Sequence, residues 1–172
     1  HRGQNVWVYS RDSRDSAWSE PEYLAALNSD LDEVARSVAL DHLTIVLSRR
    51  ELGTSDYDLF VSVRDSVDSP WSEPVPLDEL NTANSESSPF MLEAGLELYF
   101  SSSRAEDQGT DIYFASRATT SAPFGEAAPV TQLNSPADDA DPCVSADGDY
   151  VVFATNRDDG FFELYEAFRE PR

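Results

Sequence analysis

The stretch 71–117 occurs three times over in this chain, at a fixed offset of 53 residues. Moved 53 positions towards the N-terminus, Trp71 falls on Trp18, Ser72-Glu73-Pro74 on Ser19-Glu20-Pro21, Asn81 on Asn28, Glu86 on Glu33 and Arg117 on Arg64. Moved 53 the other way, Trp71 meets Phe124, Asn81 meets Asn134, Glu86 meets Asp139, Pro89 meets Pro142, Gly95 meets Gly148, Phe100 meets Phe153 and Arg104 meets Arg157. A chain of this kind folds as an array of one unit. A period near about 40–50 residues with strand-like content points first to the blades of a β-propeller.

Inside each copy the pattern is that of strands. Residues 96–100 and 111–115 alternate and are rich in aromatics, as half-buried strands are. No eleven-residue window carries a helical stripe free of Pro, Gly or Ser-rich breaks. The central copy therefore predicts four strands, at 88–92, 96–101, 111–117 and 123–130. Glu93-Ala94-Gly95 and Ala146-Asp147-Gly148 suit tight hairpins, because glycine takes the positive φ such turns need. The Ser- and Asp-rich segment 102–110 is the longer loop. Residues 1–4 read as a tail, after which the chain opens on a third strand at 5–11 and a fourth at 18–24. The expected organisation is one all-β propeller domain over 1–172, built from four-stranded blades of 53 residues. It divides into a partial blade at 5–27, blade 1 at 28–80, blade 2 at 81–133 and an incomplete blade 3 at 134–172.

Two segments carry a family resemblance. Pro142-Cys143-Val144-Ser145-Ala146-Asp147-Gly148 with Arg157, and Leu98-Tyr99-Phe100-Ser101-Ser102-Ser103-Arg104 with Asp111-Ile112-Tyr113, are similar to the TolB-type, WD-repeat-like β-propeller repeat of bacterial envelope proteins. The resemblance covers essentially the whole chain. The first copy departs from it: Arg36 replaces the proline, Asp41-His42 the turn glycine, and Arg49-Arg50 sit out of register with Arg104. The resemblance implies a periplasmic or secreted module of the cell envelope, non-catalytic, with a protein partner or small ligand on a propeller face. Related propellers often stand beside peptidoglycan-binding domains.

Charge narrows the partners further. The formal net charge is −21, with all twelve basic residues arginine. That argues against nucleic acid, whose phosphates need a basic surface, and against adsorption on anionic lipid. It suits solubility at high ionic strength, where screening relaxes the repulsion of an acidic surface. No apolar run approaches the roughly 18 residues that span a bilayer. The single cysteine, Cys143, excludes an intrachain disulfide and a thiolate-rich metal site; its first-strand position suits a small buried side chain.

Each recurring residue has a structural and a functional reading. Trp18, Trp71 and Phe124 share one phase and are expected to pack between blades; the functional alternative is a sugar-stacking platform. Arg104 with Asp111, and Arg157 with Glu163, fall on consecutive strands of a blade and are expected to form ion pairs that clamp the loops. Asn28, Asn81 and Asn134 suit turns made by side-chain hydrogen bonds to the backbone. Glu33, Glu86 and Asp139 come five residues later, near the start of what should be the innermost strand. There they would face a channel and form part of a ring for a cation or cationic ligand. Asp138, Asp139, Asp141, Asp147 and Asp149 invite a calcium reading, but their spacing does not match an EF-hand loop. No cofactor is expected, with calcium the one candidate.

Catalytic motifs are lacking. His1 and His42 are the only histidines, and neither a G-x-S-x-G elbow nor H-E-x-x-H nor a glycine-rich phosphate loop occurs. The expectation is a non-enzymatic binding or scaffold propeller. The alternatives are an accessory propeller of a peptidase-like hydrolase and a carbohydrate-binding or glycosidase-like propeller. The pattern contains thirteen strands, with one third strand too many for a closed ring. That implies either flanking blades or a homodimer approximating a six-bladed ring, the former favoured.

Overall fold

The computed structural model describes residues 4–92, 95–105 and 109–168, with only the backbone at Arg36. They form thirteen strands and no α-helix: β1 (Trp7–Val8), β2 (Glu22–Tyr23), β3 (Asp32–Val38), β4 (Thr44–Arg50), β5 (Asp58–Val63), β6 (Val75–Pro76), β7 (Glu86–Leu92), β8 (Glu97–Ser102), β9 (Asp111–Ser116), β10 (Ala128–Pro129), β11 (Asp139–Val144), β12 (Tyr150–Thr155) and β13 (Glu163–Phe168). The sheets run β1-β2, β3-β4-β5-β6, β7-β8-β9-β10 and β11-β12-β13, all antiparallel. The chain is thus the all-β array of propeller blades its period implies. No helix among the described residues is long and apolar enough to cross a membrane.

The fourth strands are far shorter than the repeat suggested. β6 and β10 pair at only two positions each, and both end on proline, which has no N–H to continue the ladder. The hairpin between first and second strands turns through Gly95 at φ 91° and Gly148 at φ 73°; residues 93–94 of the first turn lie outside the described residues. In blade 1 His42 takes the glycine's place at φ 61°, and its N–H still bonds the Ala39 carbonyl. Residues 1–3 of the expected tail and 106–108 of the long loop also lie outside the described residues.

Every innermost strand contains a bulge, between Ala35 and Ser37, Ser87 and Phe90, and Ala140 and Cys143. At the bulges Ser88 and Asp141 adopt positive φ, 51° and 53°. An unpaired bulge residue is also where a strand tolerates the prolines Pro89 and Pro142. The bulge resets the alternation in β11. Cys143, expected to be a buried side chain, is exposed instead, while Pro142 and Val144 turn inward.

The core lies between blades. Val46, Leu59, Leu77, Leu80, Met91, Leu98, Phe100, Tyr113 and Phe124 form the cluster joining blades 1 and 2. Leu27, Ile45 and Leu47, with Trp71 against them, join the partial blade to blade 1. Ile112, Leu133 and Phe153 join blade 2 to blade 3. Complete burial of a side chain such as Phe100 or Leu98 contributes about 1.5–3 kcal/mol. Large apolar side chains are exposed at both ends of the array: Trp7, Tyr9 and Trp18 at one, Phe161, Leu164 and Phe168 at the other.

Candidate functional site

The repeated carboxylates Glu33, Glu86 and Asp139 open the innermost strands β3, β7 and β11 and are essentially inaccessible to water. They do not converge on one another. Each closes a tight loop on the residue four positions earlier. The backbone N–H and hydroxyl of Thr82 both donate to Glu86, at 2.8 Å each. Ser135 does the same to Asp139 at 2.6 and 2.8 Å, and Ser29 to Glu33.

Each carboxylate then meets an arginine from the end of the second strand. Arg157 Nη2 lies 2.6 Å from Asp139 Oδ1 and also donates to the Leu133 carbonyl at 2.6 Å. Arg104 Nη2 lies 3.5 Å from Glu86 Oε1 and donates to the Leu80 carbonyl at 2.7 Å. Leu80 and Leu133 belong to the segment arriving from the preceding blade, so each arginine ties two blades together. The guanidinium also stacks on two rings, Phe100 and Tyr113 for Arg104, Phe153 and Tyr165 for Arg157. A hydroxyl completes the set: Ser102 donates to Glu86 at 2.8 Å and accepts from Arg104 Nε at 2.9 Å. Thr155 plays the same part between Arg157 and Asp139. Burial pushes the Asp139 carboxyl upward, but hydrogen bonds from Thr155, Arg157 and Ser135 outweigh it and hold the carboxyl below its ordinary range.

This arrangement corrects two readings of the sequence. Arg104 and Arg157 bond Glu86 and Asp139, and not Asp111 and Glu163 as consecutive-strand spacing suggested. Register alone does not choose between them, since Ser102 stands opposite both Glu86 and Asp111; the Leu80 carbonyl and the Ser102 hydroxyl anchor the guanidinium on the Glu86 side. Asp111 is left buried with one oxygen unbonded, and burial followed by Asp139 and Asp138 raises its pKa; Glu163 is exposed. The channel candidates Glu33, Glu86 and Asp139 each face their own arginine, and among the described residues no three His, Cys, Asp or Glu side chains form a metal-ligand group. The acidic cluster is likewise divided. Asp138 accepts from Thr110 N and Asn156 Nδ2, Asp141 from the Ser88 hydroxyl, and Asp147 from the Ser145 hydroxyl.

The asparagines act across strands. Asn81 accepts the Leu59 N–H at 2.8 Å and returns its amide to the Leu59 carbonyl at 3.0 Å, extending the ladder beyond β6. Asn28 with Val6 and Asn134 with Ile112 repeat this. Two of the three aromatics pack as expected: Phe124 is buried between blades 1 and 2, and Trp71 sits against Leu27, Ile45 and Leu47. Trp18 is exposed, no earlier blade preceding it among the described residues. An arginine covers each ring, Arg11, Arg64 and Arg117 at 4.3, 4.4 and 4.5 Å from the centroids of Trp18, Trp71 and Phe124.

The accessible site lies beside these locks, at the mouth of the innermost strands. A cleft of about 400 Å³ is lined by Gln4, Tyr57 and Thr110, which lead into three successive third strands, and by Val34, Ser87 and Ala140 on three first strands. These are two sets of residues 53 apart. The backbones meet there: the carbonyls of Gln4, Tyr57 and Thr110 accept the N–H groups of Glu33, Glu86 and Asp139 at 3.1, 2.7 and 2.7 Å. Ser88 and Asp141, the positive-φ bulge residues, stand at the same mouth and bond each other. Because these positions differ in residue type from copy to copy, no sequence signal marked them. The hydroxyls Ser29, Thr82 and Ser135 were legible, since one follows each repeated asparagine directly.

No family model and no curated protein matches the sequence. Solved structures do match. A protein assigned as TolB from Agrobacterium tumefaciens superposes with a TM-score of 0.62 at 18% identity, over 94% of this chain and 56% of that one. TolB from Acinetobacter baumannii superposes with a TM-score of 0.56 at 15% identity, over 88% of this chain and 33% of that one. The chain therefore spans about half the length of the first of these structures and a third of the second. Over that span its repeats take the fold of the TolB β-propeller.

Proposed function

We propose that this chain is a non-catalytic binding or scaffold module of a bacterial envelope or secreted protein, which receives a protein segment or small ligand at the mouth of its innermost strands. The observation that carries this reading is the cleft of about 400 Å³ in which matching positions of three blades converge. One wall is tied to the adjoining blades, since the backbone carbonyls of Gln4, Tyr57 and Thr110 accept the N–H groups of Glu33, Glu86 and Asp139. The envelope setting follows from the TolB-like fold and is part of the proposal. Two further features support a binding role without catalysis. Glu33, Glu86 and Asp139 are engaged in ion pairs, and His42 serves a hairpin turn.

Fluorescence anisotropy with labelled neutral and cationic peptides, in moderate salt to screen the net charge, tests this. Saturable binding that Ala140→Trp abolishes, with the melting temperature unchanged, is the expected result. Binding that survives Ala140→Trp would move the site off this cleft and overturn the proposal.

A further inference from the structure

A second cleft, of about 500 Å³, opens beside the start of β9. It is lined by Asp111 and Tyr113 of that strand, by Ala105, and by Thr131, Ser135 and Pro136 of the segment leading into β11. Blade 2 has all four of its strands, and that segment runs on into the first strand of blade 3, so the cleft belongs to the interior of the array and not to either end. Asp111 and Tyr113 stand two residues apart on one face of the strand.

The blades differ at this place. In blade 3 the counterpart of Tyr113 is Tyr165, and each tyrosine pairs across the ladder with the equivalent phenylalanine, Phe100 or Phe153. The Tyr165 hydroxyl donates to Asp158, the residue after Arg157. The residue after Arg104 is Ala105, and the Tyr113 hydroxyl makes no hydrogen bond among the described residues. In blade 1 the position is Phe60, which has no hydroxyl, and the neighbouring acid Asp58 is exposed. Blade 2 therefore combines an unbonded phenol, a buried acid and open space.

The acid points to the ligand. Asp111 is 5% exposed, and one of its oxygens is sealed from water without a hydrogen-bond partner. Among the described residues no arginine pairs with it, since Arg104 is held by Glu86, Ser102 and the Leu80 carbonyl. A buried carboxylate without a counter-charge is costly. The nearby Asp139 and Asp138 add to the negative field, and with burial they raise the Asp111 pKa. A divalent metal ion would need more ligands than one carboxylate, and among the described residues no three acidic, His or Cys side chains form a group. A guanidinium is planar, offers several N–H donors to a carboxylate and a phenol oxygen together, and is more weakly hydrated than an ammonium.

We propose that this cleft binds a guanidinium group, with the Asp111 carboxylate as its counter-charge and the Tyr113 hydroxyl oxygen as a second acceptor. The group is either a free small cation or the end of an arginine side chain.

Isothermal titration calorimetry of the whole chain at fixed ionic strength tests this, with methylguanidinium and N-acetyl-arginine amide as probes. Saturable binding of methylguanidinium is expected, with a Kd of about 1 mM or tighter. Binding of N-acetyl-arginine amide as well would admit an arginine side chain, and its failure to bind would restrict the site to a free cation. Asp111→Asn should weaken binding at least about tenfold without lowering the melting temperature. Ala105→Leu places the blade 1 residue, Leu52, in the cleft without altering a charge and should abolish binding. Tyr113→Phe should weaken it by a smaller factor than Asp111→Asn. Asp58→Asn removes the same charge from the exposed counterpart and should leave binding unchanged. No saturable binding, full affinity in Asp111→Asn or Ala105→Leu, or an equal loss in Asp58→Asn would each overturn the proposal. Equal affinity for N-acetyl-lysine amide would show that charge alone is recognised and would overturn it too.

Discussion

Blades 2 and 3 lock their carboxylates in one way and blade 1 in another. In blades 2 and 3 an arginine just beyond the second strand works with a hydroxyl at its end, Arg104 with Ser102 and Arg157 with Thr155. In blade 1 the position of that hydroxyl is held by Arg49, so one side chain must replace two groups. The substitution is imperfect. Arg49 Nε approaches Glu33 Oε1 at 3.3 Å without hydrogen-bond geometry, its reach to the Leu27 carbonyl is 3.5 Å, and Glu33 Oε2 is buried without a partner. Arg50 compensates one position on, with Nε at 3.0 Å from Asp32, which itself accepts the Gln4 N–H at 2.8 Å. Moving the arginine by two residues therefore shifts the tie between blades from the buried carboxylate to its more exposed neighbour.

The difference sets an order of effects. Arg104→Ala strands the inaccessible Glu86 carboxylate and should cost about 3–5 kcal/mol in urea unfolding, the range for breaking a buried pair from one side. Arg49→Ala should cost clearly less, because its lock is already poorly bonded; equal costs would break the comparison. Ser102→Ala leaves the fold's charges in place but removes the hydroxyl that Arg104 and Glu86 share, for an expected loss of about 1–3 kcal/mol.

The comparison can also be sharpened by grafting. Glu51 occupies the position of Arg104. Arg49→Ser combined with Glu51→Arg should be more stable than Arg49→Ser alone by about 1 kcal/mol, the net value of a typical restored hydrogen bond. No recovery would mean that the loop after β4 cannot present the guanidinium.

Two aspartates have pKa values shifted in opposite directions. The Asp139 carboxyl lies below its ordinary value in the folded chain, so its contribution is fully present above the unfolded pKa and is lost as pH falls through the folded one. The stability gap between wild type and Asp139→Asn should therefore narrow as pH drops below about 4. Asp111 is raised, chiefly by burial, so its contribution is present below the unfolded pKa and is lost as pH rises through the folded one. Asp111→Asn should raise the melting temperature at neutral pH slightly, on the order of 1–2 °C. A fall would show that the Asp111 carboxylate is bonded in solution.

The period, the strand types and the interblade aromatics were legible because they rest on residues repeated at one spacing. Trp71 and Phe124 occupy the same socket in two blades, and Asn28, Asn81 and Asn134 make the same bridge. Partner choice was not legible. Arg104 has carboxylates ahead of it and behind it in sequence, and the ladder sets both Glu86 and Asp111 opposite Ser102; only the anchoring of the guanidinium on the Leu80 carbonyl and the Ser102 hydroxyl, which spacing does not show, decides between them. Cys143 was misplaced for a similar reason, since strict alternation fails at a bulge that sequence spacing does not announce. The inner cleft depends on backbone positions whose side chains differ in every copy.

A double-mutant cycle on Glu86→Gln and Arg104→Met, followed by urea unfolding, tests most directly whether the repeated carboxylates tie blade to blade. The expected coupling between the two substitutions is about 1–3 kcal/mol, as for residues that share one buried network. Effects that add to within about 0.5 kcal/mol would show two independent side chains and would contradict the lock.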